Sequence, residues 1–368
     1  MRVQIVDPSA FTPPYDHALS AALARAGADV ELVTSRFLYG PVPREDGYRV
    51  TEAFYRRSAQ RGLDAPGRRA AKLAEHVPDM LRFRRADHPE VVHWQWLTLP
   101  HLDAPLLPAG DPRVFTLHYP LPSSRAGLTA QRRLLSRFDA VIAHSEHGAD
   151  RLREHVGLEA RRVHVIAHGA FDYLTRLPDE RPLPSELAAA EGPVILFFGL
   201  LRPYKGLDVL LEAFRAVEGA ELWIAGMPRM PVEPLLEAAG RAAGTVRFVP
   251  RFISDPEIPA LMRRADVVVL PYREIEQSGV LYTALAFAKP LVLSSVGGFT
   301  EVAQRHGAAR LVAPGDAEAL AAALSELVSN AAERERLASA AAAAARGPYS
   351  WDAIGERTLE LYRGLRSR

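Results

Sequence analysis

The chain has 368 residues, 48% of them hydrophobic and 24% charged, with a formal net charge of +1 and no cysteine. That length exceeds one ordinary core and predicts two domains. The near-neutral charge gives no nucleic-acid signal, and the missing cysteines exclude disulfides, a thiol nucleophile and thiolate-bound zinc.

Short apolar runs alternate with helical patterns from end to end, which predicts repeated βαβ units and parallel sheets. The segment 1–6 reads as a strand rather than a signal segment, and no apolar run approaches a membrane span, so a cytoplasmic protein is expected. In the first half the strands are expected at 2–6, 30–34, 91–94, 114–118, 140–144 and 163–167. The first helix follows Pro13-Pro14, puts Leu19, Ala22, Leu23 and Ala26 on one face, and ends at Gly27. Segment 54–85 concentrates arginine. A solvated helical surface is the first reading; a weak peripheral contact with anionic lipid on the inner face of a membrane is the second. The Pro-rich stretch 177–190 reads as a linker. Second-half strands are expected at 194–198, 221–225, 246–249, 266–270, 291–294 and 309–312. The alanine-rich run 338–345 reads as helix, and a last amphipathic helix starts near Asp352.

In open parallel sheets ligands bind beyond the carboxyl ends of the strands. After the run ending at Phe198 comes Gly199-Leu-Leu-Arg202-Pro-Tyr-Lys205-Gly206, and a helix opens. After 221–225 comes Gly226; after 246–249 comes Arg251-Phe252-Ile253; after 266–270 comes 271–279, ending in Glu276-Gln-Ser-Gly279 at a second helix start. Two cations, two glycine turns and two helix starts therefore share one edge, an arrangement suited to phosphate. Taken singly, such a loop is a plain tight turn. Lys205 is one of only three lysines, with Lys72 and Lys289, in an arginine-rich chain. A compact ammonium is a different phosphate ligand from a planar guanidinium. Neither half carries Gly-x-Gly-x-x-Gly after its first strand, and no Walker loop is present. A dehydrogenase and an NTPase are disfavoured.

These residues resemble the retaining glycosyltransferases of family four. Residues 197–213 are similar to that family's diphosphate-gripping segment, 276–290 to its signature helix, and 296–302 to the glycine turn that follows. Residues 93–96, 116–118 and 143–146 look like its first-domain strand ends. The resemblance implies an α/β fold of two Rossmann-like domains facing across a cleft (GT-B), with the C-terminal helix crossing back to the first domain. It implies an acceptor domain at 1–176 completed by 350–368, a linker at 177–190, and a nucleotide-sugar domain at 191–349. It further implies a retaining, hexosyltransferase-type enzyme with no cofactor and no metal. The partners would be a nucleotide-diphosphate sugar donor and a sugar, lipid-linked or small-molecule acceptor. Lys205 would bind the diphosphate with Arg202, helped by the backbone of Gly279, Val280 and Leu281. Gly199, Gly226, Arg251, Phe252 and Ile253 would hold the nucleotide. Glu276 and His118 would contact the sugar, and with Lys205 would carry catalysis. The sequence departs from the family pattern at Ala284, where a second glutamate is usual, at Leu200, where arginine is common, and in 7–16, where a glycine loop is replaced.

Each candidate has a plainer reading. Glu276 could be a helix N-terminal carboxylate. His118 could be a buried structural histidine. His118, His144, His147 and His168 fit no standard zinc spacing. Trp94 and Trp96 are two apart on a strand, so both face one way and line either the acceptor or the core. Tyr15 and Asp16 are placed on the acceptor side by position only. A nucleotide-sugar epimerase of the same fold, or a non-catalytic nucleotide-sugar-binding protein, is the alternative function.

Overall fold

Seven parallel strands form one sheet and six another in the computed structural model, which describes residues 1–108, 112–187, 190, 192–242, 244–275 and 277–367. Contacts group the chain into two compact units, one of Met1–His168 with Trp351–Arg368 and one of Gly169–Ser350.

The first unit contains β1 (Arg2–Asp7), β2 (Asp29–Ser35), β3 (Arg49–Phe54), β4 (Val91–Trp94), β5 (Arg113–Thr116), β6 (Ala140–Ala143) and β7 (Val163–Val165). Their order is β3-β2-β1-β4-β5-β6-β7, so the winding reverses between β1 and β4. Neighbouring residues go to opposite faces, which is why the strands read as unbroken apolar runs. Val91, Val114, Ala140 and Ile142 join one core layer, while Val92, Phe115 and Val141 join the other. Helix Pro13–Arg25 buries Tyr15, Leu19, Ala22 and Leu23 in the first layer, and helix Trp351–Arg366 adds Trp351, Ile354, Leu359 and Tyr362 to it. These two helices approach closely at Gly355. A Cβ there would lie 2.8 Å from the Ala22 carbonyl, so only glycine fits. The edge strand β3 was not expected from the sequence. Its partly exposed residues alternate weakly and lack the apolar run of its neighbours.

The arginine-rich segment 54–85 includes helix Arg68–Arg85, which buries Met80 and Phe83 in the second layer and leaves Leu73 and Val77 exposed. Among the described residues no helix is long and apolar enough to cross a membrane.

The second unit contains β8 (Val194–Phe198), β9 (Glu221–Ala225), β10 (Val246–Val249), β11 (Val267–Leu270), β12 (Leu291–Ser294) and β13 (Ala309–Val312), in the order β10-β9-β8-β11-β12-β13. The winding reverses between β8 and β11, which opens a crevice at the carboxyl ends of those two strands, the place where open parallel sheets bind ligands. Residues 177–187 of the stretch expected as a linker are packed into this unit. The Arg181 amide donates to the Pro256 carbonyl at 2.7 Å, Arg263 pairs with Glu180, and Leu187 is buried. The alanine-rich run lies inside helix Ala331–Arg346.

Candidate functional site at the switch point of the second sheet

Three loops interlock at the carboxyl ends of β8, β9 and β11. Gly226 has φ of 152°, and a Cβ on it would lie 1.9 Å from the Gly199 carbonyl oxygen. A Cβ on Gly206, at φ of 67°, would lie 2.0 Å from the Pro271 carbonyl oxygen. The Arg273 amide donates to the Tyr204 carbonyl at 2.8 Å. Backbone thus packs directly on backbone, which holds the loop 199–206 in one shape.

That shape folds Lys205 inward. The 3₁₀ turn Pro203–Lys205 leaves the lysine 7% exposed, with Nζ 4.9 Å from the centre of the Tyr272 ring. Burial first, and Arg202 second, pull its ammonium down to about 8. No carboxylate pairs with it among the described residues. From the position a Cβ would take on Gly199, Lys205 Nζ is 3.2 Å away and Val280 Cγ2 3.0 Å away. The lysine and the start of helix Gly279–Ala286 therefore meet over Gly199. Ser278 makes no side-chain cap at that helix, which leaves the amides of its first turn available. Gly279 and Val280 supply them. Leu281 does not, because its amide already donates to the Ser278 carbonyl at 3.0 Å.

The other expected helix start already carries a carboxylate in its first turn. The carboxylate of Asp208 lies against the amides of Asp208 and Val209, and it accepts from both arms of Arg273 at 2.8 and 2.5 Å. An anion of the protein therefore sits in the first turn of helix Leu207–Phe214, although no side chain caps it, and Arg202 remains as the exposed second cation of the loop. Glu276 lies outside the described residues. Its neighbour Gln277, which the sequence did not single out, accepts from the Tyr282 hydroxyl at 2.6 Å and keeps a buried Nε2 with no partner among the described residues. Ala284 is fully buried.

At the end of β10, the Arg251 guanidinium is held by Glu257 at 2.6 Å and by the Phe252 carbonyl at 2.9 Å. Burial opposes the charge on Glu257, but hydrogen bonds from Arg251 and Ser254 outweigh it and hold the carboxyl down to about 2. Phe252 is 59% exposed, free to stack on a flat ring, while Ile253 is 6% exposed and belongs to the core. The amides of Gly199 and Gly226 are spent on Ala225 and Val249 carbonyls, so these glycines give room rather than donors.

The carboxyl edge of the first sheet carries the remaining candidates. The His144 Nδ1 donates to the Ile166 carbonyl at 3.0 Å, and His118 Nε2 meets the Gln95 side-chain oxygen at 2.9 Å. Their other ring nitrogens face each other 3.3 Å apart. Both His118 nitrogens are thus met by protein, and its ring stacks on Trp96 with centroids 5.3 Å apart. Burial holds His118 well below the usual imidazole range, with His144 and His168 adding to the effect; burial alone takes His144 to about 4. Among the described residues no group of three or more histidine, aspartate or glutamate side chains is placed to hold a metal.

Tyr15 and Trp94 are core residues: Tyr15 packs edge-on against His118, His168 and Trp351, and Trp94 against Phe83. Trp96 lies past the end of β4 and donates from Nε1 to the Thr12 hydroxyl at 2.8 Å. The loop 7–16 is folded around Asp7, whose carboxylate takes the amides of Ser9, Phe11 and Thr12 at 3.1, 2.5 and 3.2 Å. Burial raises both Asp7 and Asp16, and Asp16 the more, since it also faces the Asp7 charge. The amides a glycine loop would offer a ligand are consumed by the Asp7 carboxylate.

Comparison with known proteins matches two family patterns in chain order: "Glycosyltransferase Family 4" over residues 15–170 and "Glycosyl transferases group 1" over 192–330. Alpha-D-kanosaminyltransferase of Streptomyces kanamyceticus is 28% identical over 246 residues, covering 64% of this chain and 63% of that protein. D-inositol 3-phosphate glycosyltransferase of a Nocardioides strain is 29% identical over 267 residues, covering 67% of this chain and 58% of that protein. The chain thus spans about three fifths of the length of these two relatives. Anabaena HepE, solved in complex with UDP-glucose, superposes with a TM-score of 0.71 at 21% identity, over 99% of this chain and 100% of that one. With two doubly wound parallel sheets and both family patterns in order, the chain belongs to the family-four glycosyltransferases, group one, of GT-B fold.

Proposed function

We propose that this protein moves a sugar from a nucleotide-diphosphate sugar to an acceptor hydroxyl, with retention of anomeric configuration and without a metal. The observation that carries the donor half is the meeting of the Lys205 ammonium and the uncapped start of helix Gly279–Ala286 over Gly199. Transfer breaks the anomeric C–O bond, and negative charge collects on the leaving diphosphate. A buried cation and two oriented amides already in place stabilise that charge without reorganising during the reaction. The UDP-glucose complex of a protein with the same fold supports a donor of this class.

In this reading Lys205 and Arg202 hold the diphosphate, with the amides of Gly279 and Val280. Phe252 stacks on the base. His118 and Glu276 contact the transferred sugar. The second unit is the nucleotide-sugar domain and the first the acceptor domain. A sugar, a lipid-linked sugar or a small molecule would serve as acceptor. The arginines of 54–85, with exposed Leu73 and Val77, would supply any weak contact with an anionic membrane.

Titration with UDP, GDP and ADP, followed by a donor screen that detects released nucleoside diphosphate by mass spectrometry, tests the reading. Binding that is lost in Lys205→Ala, and turnover of one donor, are the expected results. Absence of binding by all three nucleotides, or binding indifferent to Lys205→Ala, overturns it.

A further inference from the structure

The Nε2 of Gln277 is a buried nitrogen with no hydrogen-bond partner among the described residues. Its residue belongs to the loop between β11 and helix Gly279–Ala286, beside the point where Lys205 and the uncapped helix start meet over Gly199. A buried N–H group left alone is costly, and native structures meet such groups with water or a ligand.

The other end of this amide is held. The Tyr282 hydroxyl donates to Gln277 Oε1 at 2.6 Å. That distance is typical of an O–H···O bond and shorter than N–H···O bonds run, so the oxygen of the amide faces the phenol and its NH₂ group faces away. Tyr282 is itself fixed. It stands in the first turns of its helix, where side chains lean back towards the N-terminus and so reach residue 277. It is 3% exposed, and its ring packs on Tyr349 with centroids 5.7 Å apart.

The group left over is therefore a neutral donor with two hydrogens and no acceptor. A cation would find nothing there to take its protons. A diphosphate in this crevice already has the Lys205 ammonium, Arg202 and the amides of Gly279 and Val280 in the transfer reading above. The oxygen that remains to be matched is an uncharged one, a hydroxyl of the sugar. Gln277 precedes Gly279 by two residues, on the side of the chain towards Glu276.

We propose that Gln277 selects the donor by hydrogen-bonding one hydroxyl of the transferred sugar, and that Tyr282 is the positioning residue that aims its amide. This inference rests on the transfer reading. Calorimetry on the full chain would pair UDP with UDP-glucose and GDP with GDP-mannose, so that each pair differs by the sugar alone. For a sugar nucleotide that binds, Gln277→Met is expected to weaken it roughly three- to tenfold, the range of one neutral hydrogen bond, and to leave its nucleoside diphosphate within about twofold. Tyr282→Phe keeps the ring and releases the amide. It should weaken the same sugar nucleotide by a smaller factor, and should add nothing to Gln277→Met in the double variant.

The unaltered chain supplies a second measurement. The side-chain amide resonance of Gln277, identified by its loss in Gln277→Met, is expected to shift with the sugar nucleotide and to stay in place with the nucleoside diphosphate alone. Equal weakening of both members of a pair, indifference of both, or a resonance that no sugar nucleotide moves overturns the role of Gln277. Any of these in a chain that still binds a nucleoside diphosphate leaves the transfer reading standing. Absence of binding by all four nucleotides overturns the transfer reading, and the role of Gln277 with it.

Discussion

The Lys205 ammonium lies 4.9 Å from the centre of the Tyr272 ring, and no carboxylate partners it among the described residues. A diphosphate would give it a full counter-ion. Lys205→Ala is expected to weaken nucleoside diphosphate binding about ten- to a hundredfold, the range of one charged hydrogen bond. Titration calorimetry reads this directly.

The same lysine sets a pH dependence. Its ammonium is held at about 8, below the ordinary lysine value, so the charge is present at pH 7 and lost as the pH rises through 8. Nucleoside diphosphate affinity should therefore fall between pH 7.5 and 9.5, a window placed around that value. Lys205→Arg keeps its charge throughout and should flatten the profile. A wild-type profile that is level across this window would show that the lysine charge plays no part.

Gly226 and Gly219 make a matched pair. Both have positive φ, 152° and 73°, but a Cβ on Gly226 meets the Gly199 carbonyl at 1.9 Å, while one on Gly219 meets nothing within 4 Å. Gly219→Ala should cost about 1 kcal/mol of backbone strain, and Gly226→Ala clearly more, with loss of nucleotide binding as the loop 199–206 is displaced. Urea unfolding of the two variants measures the difference.

Three buried histidines of the first unit, His17, His93 and His144, should stay neutral in acid. Burial takes His17 and His144 to about 4 and His93 to about 3, His93 with a further push from His144. The unfolded chain takes up these protons near 6.5 and the folded chain only near 4. This contribution to stability is therefore complete above pH 6.5 and is lost as the pH falls towards 4, by about 3 kcal/mol for each of His17 and His144. Asp7 and Asp16, both raised, work in the opposite direction. A residue-resolved reading is needed, and ¹⁵N shifts of the imidazole rings supply it: no titration of His17, His93 or His144 is expected above pH 5.

At the contact of the two helices in the first unit, Gly355→Val should force the Ala22 backbone away and cost about 1–3 kcal/mol. Limited proteolysis should then cut near residue 350 sooner than in the wild type.

The parts of this molecule that were legible in the sequence are those whose signal is local. Strands such as Val194–Phe198 and Leu291–Ser294 are buried on both faces, so their apolar runs stand out, and the glycines and lysine of 199–206 follow one of them directly. Strand Arg49–Phe54 was missed because an edge strand carries half the burial and a mixed composition. The stretch 177–190 has the composition of a linker, but the packing of Glu180 and Arg181 depends on Arg263 and Pro256, far along the chain. The same distance hides the pairing of Asp208, in the first turn of one helix, with Arg273. Residues 251–253 look equivalent in sequence; only the fold shows that Phe252 is exposed and Ile253 is core. Gln277 gives no signal of its own in the sequence, and becomes notable only through the amide that Tyr282 orients.

Helix Trp351–Arg366 belongs to the first unit although the whole of Gly169–Ser350 precedes it in the chain. On the ribosome, the first seven strands emerge with one layer of their core only partly covered, by helix Pro13–Arg25, and must wait for the second unit to be made before Trp351, Ile354 and Tyr362 arrive. The second unit is an uninterrupted segment and has no such delay. Order of synthesis and order of completion are thereby reversed, and slow translation across Gly169–Ser350 would prolong the interval in which the earlier-made half needs protection from aggregation.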